Sequence, residues 1–118
     1  MTQISDSELA ELRAKHPRGV KVLEAVPADA TEDAPGDEFV FRKIDRAAHT
    51  KYRALSKRTL AQGSGGDEPA LLARELLLWP KVEEFDQLRE RAPGVAEEMG
   101  YALLADADGG LMVREGKR

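Results

Sequence analysis

The sequence predicts a mostly α fold: a helical bundle of four to five short helices with a small antiparallel β-hairpin near the N-terminus. Three observations predict it. Apolar residues recur at three- and four-residue spacing in several segments, each bounded by proline, glycine or a capping side chain. Two short segments near the N-terminus instead alternate, with β-branched or aromatic residues at every second position. Hydrophobic residues make up 42% of the 118 and aromatics only 5%, so one domain with a core of leucine, valine and alanine is expected.

The first element is a helix over 6–15. Ser5 and Glu8 have the S-x-x-E spacing of a capping box, Leu9 and Leu12 form a narrow apolar stripe, and Pro17 and Gly19 stop it. Residues 20–26 form a strand with Val20, Val22 and Val26 on one face. Residues 38–44 form its partner, with Phe39 and Phe41 on one face and Val40 and Ile44 on the other. The connection PADATEDAPGD is long for a hairpin and is expected to be mobile. Two strands are not stable alone, so they must pack on the helices or be extended by another chain.

Asp45 caps the next helix, which runs to about Ser56 or Leu60 with Ala48, Tyr52 and Leu55 as its stripe. GSGGD at 63–67 is a break. Asp67 then caps a helix with Pro69 in its first turn. Leu71, Leu72, Leu76, Leu77, Leu78 and Trp79 cover more than one of its faces, which predicts the most buried helix. Pro80 ends it and opens the following one, where Val82, Phe85 and Leu88 face inward and Glu83, Glu84, Asp86 and Glu90 face water. Pro93 begins the last helix, with Val95, Met99, Ala102 and Leu103 on one side, and 106–110 ends it. The chain thus divides into an N-terminal helix, strand and acidic loop (1–37), a helical core with a leading strand (38–108) and a short tail (109–118).

Charge is unevenly placed. From Arg42 to Arg58 seven bases face one acid, a charge of +6, whereas from Asp67 to Asp108 eleven acids face four bases, a charge of −7. Such faces are usually solvated; the sharper reading is pairing with a partner or a second copy. With no cysteine, disulfides, thiolate metal sites and cysteine nucleophiles are excluded. The N-terminus carries acids and lacks an apolar h-region, and the longest apolar run is only LLLW. A protein that does not enter a membrane is expected.

No catalytic set is apparent. His16 and His49 lie outside any metal-binding spacing. The DADGG at 106–110 lacks the later ligands of a calcium loop, and GSGG lacks the lysine of a phosphate-binding loop. Glu83 and Glu84 are adjacent on a helix and point apart. The expectation is therefore no catalytic residue, no metal and no cofactor.

The stretch from FVFRKIDRAAHTKYRALS to EPALLARELLLWPKVEEFDQLRERAPGVAEEMGYALLADA, over residues 38–105, resembles small tail-assembly-chaperone-like proteins of tailed bacteriophages and prophages. In them an FVFR strand precedes helices with a WP…EEF…L…PG rhythm. The resemblance implies a non-enzymatic chaperone that holds the tape-measure protein while tail-tube subunits assemble, in the cytoplasm of a bacterial host cell. The family has no catalytic residues to transfer, and residues 1–37 lie outside the pattern. The alternatives are a structural or adaptor subunit retained in a phage-like particle, and a nucleic-acid-binding regulator served by the basic stretch. No helix-turn-helix or base-stacking signature supports the latter. The residues expected to meet a partner are the apolar Trp79, Phe85 and Tyr101 and the basic Arg46, Lys51, Arg53 and Lys57. The partners expected are the tape-measure or tail-tube protein and a second copy of the chain.

Overall fold

The computed structural model describes residues 2–63 and 65–117. Met1, Arg118 and Ser64, the last within the expected 63–67 break, lie outside the described residues. The chain is mostly α with a small antiparallel sheet. In order it forms α1 (Asp6–Lys15), β1 (Val20–Ala25), β2 (Asp37–Arg42), α2 (Arg46–Ala61), α3 (Glu68–Leu76), β3 (Leu77–Trp79), α4 (Val82–Arg91) and α5 (Pro93–Leu104). A 3-10 turn over Ala105–Asp108 closes it.

Local signals set several of these boundaries. The Glu8 backbone N–H donates to Ser5 Oγ at 3.2 Å, closing the α1 cap. Asp45 caps α2 by accepting from the Ala48 N–H at 2.8 Å, and this bond is the main reason its carboxyl pKa is lowered. Pro93 stands in the first turn of α5. Asp67 differs from expectation, because its side chain makes no capping bond. Its carboxylate is drawn instead to Arg89 at 2.7 Å, and Glu68 takes up the helix start, with its Oε2 accepting from the Gly66 N–H at 2.7 Å.

The expected hairpin is present, with β1 and β2 antiparallel from Val20↔Arg42 to Ala25↔Asp37. It is extended to a three-stranded sheet of order β1-β2-β3 by a segment expected to be helical. Leu77–Trp79 leaves α3 after Leu76 and pairs with β2, with Phe41 opposite Leu77 and Val40 opposite Trp79 across a bulge. Two effects favour the strand over another turn of helix. Trp79 precedes Pro80, which disfavours helical backbone there. The outer edge of β2 also offers backbone partners that would otherwise be left unsatisfied. Pro80 therefore does not end α3, and α4 opens at Val82 after Lys81.

β2 is the central strand and is buried on both faces. Phe39 and Phe41 face the helices, where the Phe85 ring meets them edge-on at centroid distances of 5.9 and 6.2 Å. Around this trio pack Ala70, Leu72, Ala73 and Leu76 of α3, Leu88 of α4, and Ala96, Met99 and Leu103 of α5. The α5 stripe is rotated from the expected one, with Ala96 and Gly100 buried and Ala102 only half-buried. Gly100 passes so close to α3 that a Cβ there would lie 2.0 Å from the Pro69 carbonyl oxygen. On the other face of the sheet Val22, Val40 and Trp79 form one cross-strand row, and Val40 is fully buried. The N-terminal segment is tied to β2 by the Thr2 N–H to Asp37 at 2.8 Å and the Ile4 N–H to Glu38 at 3.1 Å. Lys21 of β1 bonds the Ala102 carbonyl and Asp106 at the C-terminal end of α5, where a cation is favoured by the helix dipole.

Candidate functional site

α2 is the longest helix and is only shallowly embedded. Of its residues only Ala48 is buried. It carries five bases (Arg46, Lys51, Arg53, Lys57 and Arg58) and no acid. Its 3.6-residue period splits the remaining side chains into two flanks.

One flank, with Lys51, Leu55 and Arg58, borders α3 over Leu71, Leu72 and Glu75, enclosing a groove of about 530 Å³. Its charges are largely used internally: Lys51 pairs with Glu75 at 3.1 Å. Glu68, which also lines it, is buried and accepts from the Thr59 hydroxyl, and this bond is the first cause of its lowered pKa. Glu68 thereby joins the C-terminal part of α2 to the start of α3 across the glycine-rich connection.

The other flank is the line Tyr52, Ser56, Leu60, spaced i, i+4, i+8. It faces Pro69 and Tyr101 across a hollow of about 430 Å³. Leu60 is 79% exposed and Tyr101 58% exposed, while Tyr52 is half-buried between them and the body of the protein. Partial burial, with Tyr101 and Glu68 nearby, raises the Tyr52 hydroxyl pKa. Arg53 and Lys57, one turn apart, form the outer rim of this apolar line, and a second hollow of about 530 Å³ lies between them and Leu60. Among the described residues Arg46, Arg53, Lys57 and Arg58 make no ion pair, whereas Lys21, Arg42, Arg74 and Arg89 all do.

The structure therefore brings together three of the residues expected at a partner site: Tyr101, Arg53 and Lys57. Lys51 lies on the opposite flank, held by Glu75. Arg46 stands exposed at the start of α2. Trp79 is half-buried on the far face of the sheet, opposite Val40. Phe85 is fully buried and is the ring on which the core is organised, so no partner reaches it in the folded chain. Tyr52 packs partly against the core, as its place in the α2 stripe predicts, while Leu60, expected only as a helix end, adds an exposed apolar side chain to the same flank. The i, i+4, i+8 spacing was the available signal, but serine in its middle position obscured it. His16 caps the C-terminal end of α1 through its backbone N–H, and His49 is half-buried on α2. Among the described residues no group of three or more histidine, aspartate or glutamate side chains is placed to hold a metal ion, and no helix is long and apolar enough to cross a membrane.

No protein-family model, no curated protein and no solved structure matches the chain.

Proposed function

We propose that this chain is a non-enzymatic binding protein of a phage or phage-derived particle, acting as a tail-assembly chaperone that holds the tape-measure protein. The observation that supports binding is the Tyr52–Leu60–Tyr101 flank: Leu60 and Tyr101 are large side chains left open to solvent beside a half-buried Tyr52, bordered by two cations that make no ion pair among the described residues. Aromatic residues beside arginine are the side chains that most often anchor protein interfaces. The phage assignment rests on the resemblance of residues 38–105. A stoichiometric holder of a long aggregation-prone chain needs such a surface and no reacting groups.

Co-expression tests it. The tape-measure protein encoded beside this chain should stay soluble and co-purify with it, and a gene neighbourhood without tail-tube and tape-measure genes, or a tape-measure protein that neither binds nor gains solubility, would overturn the assignment. One observation favours the second reading, an adaptor retained in the particle. Within the N-terminal region outside the resembling pattern, β1 pairs with β2 along its whole length and the segment before α1 is bonded to Asp37 and Glu38, as a permanent structural elaboration would be. Mass spectrometry of purified particles separates the two, since a chaperone is absent from them and an adaptor is present.

A further inference from the structure

We propose that the flank of α2 formed by Tyr52, Leu60 and Tyr101 captures an acidic amphipathic helix of another protein, its apolar stripe on these three side chains and its carboxylates on Arg53 and Lys57. The inference rests on reading this flank as the partner-binding surface, and it names the partner's chemistry.

The geometry argues for a helix. The exposed ridge of α2 and the side of α5 at Tyr101 form the walls of an open hollow over Pro69. A groove between two helices accepts the ridge of a third. From Tyr52 to Leu60 the α2 wall runs eight residues, about 12 Å at 1.5 Å per residue, and anchors at i and i+7 of a partner helix lie about 10.5 Å apart. Arg53 and Lys57 are one turn apart, so carboxylates at i and i+4 on the incoming helix meet both.

The charge argues for an acidic partner. α2 carries five bases and no acid; the hollow beside Arg53 and Lys57 is lined by no carboxylate, and Glu68 in the neighbouring hollow is held by Thr59 and Gly66. A second copy of the chain does not supply the partner. Its acidic helix α4 exposes Glu83, Glu84 and Glu90, but the large apolar side chains of that helix, Phe85 and Leu88, are buried in its own core. α5, with Glu97 and Glu98 and no base, buries Ala96, Met99 and Leu103, and in α1 the leucines Leu9 and Leu12 are already half-buried. Nucleic acid would use the cations but leave the apolar side chains unused.

The test uses the whole chain and a labelled helical peptide of about 15 residues, with leucines at i, i+4, i+7 and i+11 and glutamates flanking them. A second peptide has lysines for the glutamates, and a single-stranded oligonucleotide is the third probe. By fluorescence anisotropy the acidic peptide should bind and the lysine peptide should not, with binding weakened by salt. Tyr101→Ala, and separately Arg53→Glu with Lys57→Glu, should each weaken it about tenfold or more. Lys51→Gln, on the other flank, should change it by less than about twofold. All these side chains are exposed, and circular dichroism of each variant confirms that it is folded. Equal binding of both peptides, loss confined to Lys51→Gln, binding of the oligonucleotide alone, or light scattering showing that self-association occupies this flank would each overturn the proposal. If the acidic peptide binds but the tape-measure protein does not co-purify, the phage assignment falls and this inference stands. If the tape-measure protein co-purifies from both flank variants, the inference falls and the assignment stands.

Discussion

Replacing Gly100 by alanine adds one methyl group at the closest approach of α3 and α5. An ideal Cβ there would lie 2.0 Å from the Pro69 carbonyl oxygen, 2.3 Å from its carbonyl carbon and 2.8 Å from its Cα. All three are backbone atoms, so no side chain can rotate away. Restoring an ordinary separation of about 3.5 Å requires the two helices to part by about 1.5 Å. That gap would loosen Ala70, Ala73 and Leu76 against Ala96 and Leu103, where a gap of 0.5–1 Å already forfeits roughly a quarter to a half of each contact. Overpacking of this kind costs about 1–3 kcal/mol, and a clash confined to backbone belongs at the upper end. The opposing gain is the better helix propensity of alanine, about 1 kcal/mol. Sterics win, with a net loss of about 2 kcal/mol or more, which for a chain of this size lowers Tm by roughly 6–10 °C. Gly94 supplies the internal control. It lies in the first turn of the same helix with nothing within 4 Å of its Cβ position, and Gly94→Ala should be neutral or stabilise by up to about 1 kcal/mol. Urea denaturation followed by circular dichroism reads both variants. A Gly100→Ala midpoint equal to or above that of the parent would refute the close approach.

Other expectations follow from the same packing. Leu76→Ala, at a fully buried site in the main core, should cost about 2–5 kcal/mol in a thermal or urea melt, and an unchanged melt would contradict its burial. Glu68→Ala removes the acceptor of both the Thr59 hydroxyl and the Gly66 N–H and should cost about 1–3 kcal/mol, whereas Glu68→Asp, too short to reach both, should recover only part of it. In the fold the carboxyl pKa values of Glu68, Asp86 and Asp45 are lowered by the Thr59 hydroxyl, the Arg74 guanidinium and the Ala48 N–H respectively. Each carboxyl binds its proton less tightly when folded. Their stabilisation is therefore present above the ordinary carboxylate range and lost as pH falls through and below it. Tm should decline on acidification and decline less steeply in Glu68→Gln; a Tm flat down to about pH 3 would contradict this. Deleting residues 29–32 from the exposed β1–β2 connection should change stability by only about a few tenths of a kcal/mol, since closure entropy varies slowly with length; a cooperative loss of structure would show that this connection carries packing of its own.

Elements whose boundaries depend on adjacent residues were legible in the sequence. Ser5 and Asp45 cap helices with their own side chains, Pro93 occupies a position where its missing N–H costs nothing, and the alternation over 20–26 and 38–44 predicts the two strands found at Val20–Ala25 and Asp37–Arg42. The basic character of α2 and the exposure of Tyr101 also belong to local pattern. Three features do not. Leu77–Trp79 becomes a strand although leucine favours helix, because β2, nearly forty residues earlier, presents an edge to pair with. Phe85 becomes the centre of the core rather than an interface residue because Phe39 and Phe41 meet its ring edges from the sheet. Gly100 is required by the Pro69 backbone, which only helix packing brings within reach. Tyr52 and Leu60 join Tyr101 in one site for the same reason. Capping and periodicity act over a few residues and are written along the chain; a strand edge, a ring contact or a helix crossing exists only once distant segments have been brought together, and tertiary structure alone decides it.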